Sequence, residues 1–97
     1  MSSSIQTLNY YIQNASRCFY SGFEAAGNHY LEKCVGWLLH WSEENEKSDA
    51  DLPSVLIEIH RAQSRRDIVW IADLLLYRLM PMIVQFENKK MTIGRSK

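Results

Sequence analysis

D-I-V-W-I-A-D-L-L-L-Y-R-L-M-P-M-I-V-Q-F, residues 67 to 86, carries most of the apolar weight of this chain and decides how the rest must fold. At about 100° per residue, Ile68, Ile71, Ala72, Leu75, Leu79, Met82, Ile83 and Phe86 fall on one helical face, which reads as a core stripe. The opposite side holds Trp70, Asp73, Leu74, Tyr77, Pro81 and Val84. The helix is therefore apolar nearly all round, interrupted only by Asp73, Arg78 and Gln85. A helix of that character is buried on both sides. In a chain of 97 residues, that requires either a central place among several helices or a second copy of the protein.

Working back from this stretch, Ser64-Arg65-Arg66-Asp67 matches a capping box, with the serine at the start of the helix and Asp67 answering it. Before it, Leu52, Val55, Leu56, Ile59 and Ala62 form the inner face of a short third helix, with Asp51 placed to cap it and Pro53 in its first turn. Residues 45 to 52 lack apolar periodicity and form a break. From His29 to about Glu44, a second helix buries Leu31, Cys34, Val35, Leu38 and Trp41, with Tyr30 and Trp37 at an adjoining edge. Gly27 and Asn28 read as the stop and restart before it. In the first helix, led by the capping hydroxyls of Ser2 to Ser4, the residues Ile5, Leu8, Ile12, Ala15, Phe19, Gly22 and Ala26 recur as a heptad seam, widened by Tyr11, Cys18 and Ala25.

Within the fourth helix, Pro81 lacks the N–H of a helical hydrogen bond and crowds the carbonyl of Tyr77, which predicts a kink near residues 77 to 81. The expected fold is all-α: a small antiparallel four-helix bundle of two helical hairpins, the fourth helix kinked near its proline. Residues 1–88 form one domain, and 89–97 a basic, flexible C-terminal tail.

Eleven basic and eleven acidic residues cancel, which argues against a protein built to hold polyanions. A domain of this size has a thin core, so its eleven aromatic residues point to a partner surface. Cys18 and Cys34 sit in apolar helical patterns and read as small buried thiols. M-S-S-S-I-Q-T lacks the basic and apolar regions of a signal peptide, so the expected location is cytoplasmic.

Y-S-G-F at 20–23, W-L-L-H-W at 37–41 and D-I-V-W-I-A-D-L-L-L-Y-R-L-M-P at 67–81 resemble a loose family of small helical-bundle proteins of Gram-positive bacteria. The last of these follows the pattern D-x-x-x-x-A-D-L-L-x-Y-x-L-x-P. That family is distantly similar in layout to the flagellin export chaperone. The resemblance implies a cytosolic helical bundle and, from the chaperone side, binding of helical segments of a partner. The chain has no flagellin-binding signature, so the chaperone role itself is not carried over.

Catalysis needs a nucleophile with a base, convergent acids or a metal set. No C-x-x-C or H-x-x-x-H spacing occurs, and His29, His40 and His60 stand apart, so no catalytic, metal or cofactor residues are assigned. His40 reads as a helix-edge histidine bonded to Glu44. Asp73 lies between Trp70 at i−3 and Tyr77 at i+4, where an unpaired carboxylate is costly to bury. It either accepts a bond from a tyrosine, an arginine or a helix N-terminus inside the fold, or centres an exposed patch for a partner. Arg61, Arg65 and Arg66 give nucleic-acid binding a weak support, but the fourth helix lacks the polar face of a recognition helix. Membrane insertion is opposed by Asp73 and Arg78, each costing about 2.5–3.5 kcal/mol at the bilayer centre, and by Pro81.

The reading that results is a non-enzymatic protein–protein interaction module, adaptor-like or chaperone-like, that forms a homodimer or binds a helical partner. Trp70, Asp73, Leu74, Tyr77, Tyr11 and Trp37 are its expected contact residues. The alternative is a small transcriptional regulator acting on DNA or on a regulator protein.

Overall fold

The computed structural model describes residues 5–44 and 52–95, which are helical apart from two three-residue turns. Helix α1 spans Ile5–Tyr20, α2 Glu24–Glu44 and α3 Leu52–Ser64. The fourth helix is assembled from α4 (Ile68–Leu74), a π-helical segment (Leu75–Leu79) and α5 (Met80–Arg95). The expected caps Ser2 to Ser4 and Asp51, and the acidic break up to residue 51, lie outside the described residues.

The apolar periodicities become one core. Leu8, Ile12, Ala15 and Phe19 of α1 meet Leu31, Cys34, Leu38 and Trp41 of α2, and Val55, Ile59 and Ala62 of α3 close over Ile71, Leu75, Leu79 and Ile83. Helix α1 packs along α2 on one side and α4 on the other, and α3 packs on α4 and the π segment. Small residues at Ala15, Ser16 and Ala72 are all buried, which lets the backbones of the central helices approach closely. The Ser16 hydroxyl is left in that contact without a hydrogen-bond partner, an arrangement that costs stability.

Both turns solve the same problem, the unsatisfied carbonyls at a helix end, in the same way. After α1, the Phe23 N–H donates to the Cys18 carbonyl and the Gly22 N–H to the Phe19 carbonyl, with Gly22 left-handed at φ 84°. That pattern is a Schellman motif. The same pair of bonds recurs after α3, from Asp67 to Ala62 and from Arg66 to Gln63. Here Arg66 takes the left-handed position, at φ 56°, which glycine occupies without the steric penalty of a Cβ.

Two local expectations are corrected. The first helix ends at Tyr20, not at Gly27, because Gly22 supplies the left-handed residue one turn earlier. Gly27 instead lies inside α2, where a Cβ would stand 2.5 Å from Cε1 of the Phe19 ring. It is glycine because the ring occupies the space of a side chain. Similarly, Ser64 does not cap the long helix: its hydroxyl donates back to the His60 carbonyl in the last turn of α3. Asp67 is the cap, accepting the Trp70 N–H at 3.4 Å.

At the π segment the Met80 N–H reaches the Leu75 carbonyl, five residues back. Along an uninterrupted α-helix, Ile83 would be rotated about 120° from Ile71. A π turn absorbs one residue and leaves the two only about 20° apart. The widened turn immediately precedes Pro81, where an α-helical carbonyl would collide with the proline ring. Beyond it α5 carries helix to Arg95, into the stretch expected as tail.

Candidate functional site

The six residues expected at a contact surface divide by where the helices place them. Trp70 and Tyr77 are exposed, at 41 % and 71 %, and Asp73 between them is half-buried. Leu74 is fully buried, at 0 %, and is removed from the surface group. It lies about 100° round the helix from Asp73, far enough to turn into the core. Trp37 is removed as well. It is buried and stacked on Trp41, with ring centroids 6.3 Å apart and planes 14° from parallel.

Trp41 in turn meets the edge of Phe86 and donates its indole N–H to Glu87 at 2.9 Å. These contacts join α2 to α5. Tyr11 is half-buried beside Tyr10, which makes an edge contact with Tyr30 of α2. On a helical projection Tyr11 falls on the opposite flank of α1 from Tyr20, so it stands apart from the Trp70–Tyr77 surface.

Tyr20 is the surface residue that pattern reading missed. Its hydroxyl donates to Asp73 at 2.5 Å, joining α1 to α4 across 53 residues of sequence. The hydrogen bond to the carboxylate, followed by desolvation and the nearby Asp73 and Tyr77 groups, pushes the Tyr20 hydroxyl up to about 12. Tyr20, Trp70 and Tyr77 are each substantially exposed, so the carboxylate sits among three aromatic side chains at the surface. Only its place in Y-S-G-F marked Tyr20 in the sequence, and nothing there pairs it with Asp73.

The neighbouring cations are committed elsewhere. Arg66 forms a forked pair with Glu24, at 2.9 and 3.2 Å, tying the second turn to the start of α2. That hydrogen-bonded pair lowers the Glu24 carboxyl and raises the Arg66 guanidinium from their ordinary ranges. Arg78 reaches Glu58 of α3 at 2.5 Å. Among the described residues no cation stands within ion-pair distance of Asp73.

Elsewhere, a shallow groove of about 390 Å³ is lined by Leu31, Val35, Gly36 and Leu39 of α2 with Gln63 of α3. Cys18 and Cys34 are both free thiols, and burial pushes the Cys34 thiol up to about 12, which keeps it protonated and a poor nucleophile. Among the described residues no group of three or more His, Cys, Asp or Glu side chains is placed to hold a metal ion. His40 is exposed, and the Glu44 side chain expected beside it lies outside what is described.

The segment Ile68–Asn88 is long and apolar enough to cross a membrane by length and composition, yet only 33 % of its most apolar window is buried within the chain. Comparison with protein-family models, curated proteins and solved structures yields no match.

Proposed function

We propose that this protein is a non-enzymatic interaction module, adaptor-like or chaperone-like, whose working surface is the outward face of the long fourth helix together with Tyr20. The observation that carries the reading is the mismatch between that helix and its surroundings: it is apolar nearly all round, but only a third of its most apolar window is fully buried within the chain, and Val69, Trp70 and Tyr77 stand exposed on it. Exposed apolar surface rimmed by polar groups marks a site of association. Aromatic anchors around a polar centre supply the energy of such contacts, and Trp70, Tyr77 and Tyr20 surround Asp73 in that manner.

The finer architecture that this function uses is an antiparallel four-helix bundle of two hairpins, with the fourth helix bent where its π segment meets Pro81. A helical partner, either another protein or a second copy, then adds a helix alongside α4 and α5. The setting is the cytoplasm. The use of Arg78 and Glu87 in contacts with α3 and α2 supports a helix packed among protein rather than lipid.

The test compares partner capture by the wild type with capture by a Trp70→Ala, Tyr77→Ala double variant, using Tyr10→Ala as a control on another exposed aromatic. Binding should be lost in the double variant and kept in the control. Equal capture by all three would remove the surface from consideration.

A further inference from the structure

We infer that the surface around Asp73 is a guanidinium-binding site: it takes an arginine side chain carried on a helix of a different protein, which forks onto the Asp73 carboxylate and lies against the ring of Trp70 or Tyr77. The inference rests on the interaction reading above and adds to it the chemistry of the partner.

The four residues form one cluster. Trp70 stands three residues before Asp73 and Tyr77 four after it, so a ring rises one turn to either side of the carboxylate, with Cβ atoms about 5–6 Å away. Tyr20 closes a third side from α1 through its hydrogen bond to Asp73. The Tyr77 hydroxyl is near enough to Tyr20 to oppose its ionisation.

The faces of these rings are free. Trp37 and Trp41 stack on each other, and Trp41 also meets Phe86. Among the described residues Tyr20, Trp70 and Tyr77 make no ring contact of that kind, and all three are exposed. An aromatic face within about 6 Å of a cation attracts it.

The charge at the centre is uncompensated. Asp73 is half-buried, a position in which a carboxylate is costly without a partner, and what it accepts is the neutral Tyr20 hydroxyl. Arg66 and Arg78, the basic residues before and after it in the sequence, are held by Glu24 and Glu58. Among the described residues Arg17, one turn before Tyr20, makes no ion pair with it either. A second copy laid on the same face would present Arg78, which is already engaged, so a different protein must bring the cation.

A guanidinium fits this arrangement better than an ammonium. It is planar and weakly hydrated, so it stacks on a ring while aiming two parallel N–H groups at a carboxylate. An ammonium is a strongly hydrated point charge, and this site, open on its outer side, does little to replace its water. Each carboxylate oxygen has two lone pairs, so the oxygen that accepts from Tyr20 can still accept one arm of the fork. The Tyr20 bond meanwhile holds the carboxylate in place.

The test uses three alanine- and glutamine-rich helical peptides, identical except for one central residue: arginine, lysine or citrulline, the neutral isostere of arginine. Affinity is read from the anisotropy of a fluorophore on the peptide, at low salt, where charge pairing is least screened. The proteins are the wild type, Asp73→Asn, and the Trp70→Ala, Tyr77→Ala double variant, each checked for wild-type helicity. The wild type should bind the arginine peptide at least roughly tenfold more tightly than the citrulline peptide and about threefold more tightly than the lysine peptide. Asp73→Asn keeps an acceptor for Tyr20 and should erase the preference for arginine over citrulline. The double variant should erase the preference for arginine over lysine.

Equal binding of the arginine and citrulline peptides, absence of binding by any peptide, or a preference that survives Asp73→Asn overturns the inference. A lysine peptide bound as tightly as the arginine one overturns the assignment to guanidinium. Self-association of the wild type that is lost in Asp73→Asn would place a second copy on the face and overturn the choice of a different protein. If partner capture depends on Trp70 and Tyr77 although arginine is not preferred, the interaction reading stands without this site. If capture ignores them while the arginine preference holds, the site stands and the wider surface falls.

Discussion

Replacing Gly27 with alanine separates two effects that usually oppose each other. In the interior of a helix the change gains about 1 kcal/mol of intrinsic propensity. At position 27, however, the new methyl would stand 2.5, 2.6 and 2.9 Å from three atoms of the Phe19 ring. Phe19 is buried, so the ring has no solvent to move into, and overpacking of this kind costs about 1–3 kcal/mol. With contacts well inside van der Waals distance, the upper half of that range applies. The net change is then a destabilisation of about 1–2 kcal/mol.

For a domain of this length such a loss lowers Tm by roughly 4–15 °C. Gly36, in the same helix with no atom within 4 Å of the place a methyl would take, supplies the reference: Gly36→Ala should raise Tm by roughly 4–8 °C, the propensity gain alone. Thermal unfolding followed by far-ultraviolet circular dichroism reads both. The decisive measurement is the double variant Phe19→Leu, Gly27→Ala, which should show a favourable coupling of at least about 1 kcal/mol, because the smaller side chain yields the space. If Gly27→Ala were stabilising, or if its penalty were unchanged by Phe19→Leu, the packing argument would fail.

Other consequences are quicker to state. Ser16→Ala removes a buried hydroxyl without a partner and should stabilise the protein by about 1 kcal/mol in urea unfolding. Leu74→Ala should cost about 2–5 kcal/mol as a core truncation, whereas Tyr77→Ala should change stability by less than about 0.5 kcal/mol and act on association instead. Arg66→Gly relieves a left-handed Cβ but loses the exposed pair with Glu24, so it should unfold at higher temperature than Arg66→Ala, which loses the pair and keeps the strain. The raised Tyr20 hydroxyl contributes stability that is fully present below pH 10, the ordinary value, and is lost as the pH rises toward about 12. Phenolate absorbance during alkaline titration should show one late-ionising tyrosine that disappears in Tyr20→Phe, and that variant should lose less stability over the interval than the wild type.

How far the sequence spoke for the structure depended on whether the information was local. Leu8, Ile12, Ala15 and Phe19, and later Val55, Ile59 and Ala62, announce their burial through spacing alone, because helical geometry maps separation onto direction. Glycine does not announce its purpose so clearly. Gly22 reads like a seam residue and Gly27 like a stop; the left-handed backbone at Gly22 and the Phe19 ring against Gly27 reverse them. Leu74 reads from the sequence as outward although it is buried, because a helix apolar in every direction offers little contrast between its faces. The Tyr20–Asp73 bond joins residues 53 positions apart, beyond any local signal, and the proline advertised a disturbance near 77 to 81 without specifying a widened turn.

That widened turn has an implication for how the molecule tolerates length changes. Because the π segment holds one residue more than an α-helical turn needs, it acts as a phase adjuster between Ile68–Leu74 and Met80–Arg95. Deleting a single residue within Leu75–Leu79 would turn it into ordinary helix while leaving both flanking halves facing as they do now. The same deletion three residues downstream of Met80 would swing everything after it by about 100° and carry Phe86 and Glu87 away from Trp41. Two neighbouring one-residue deletions should thus differ sharply in consequence, one absorbed and the other dismantling the junction between α2 and α5.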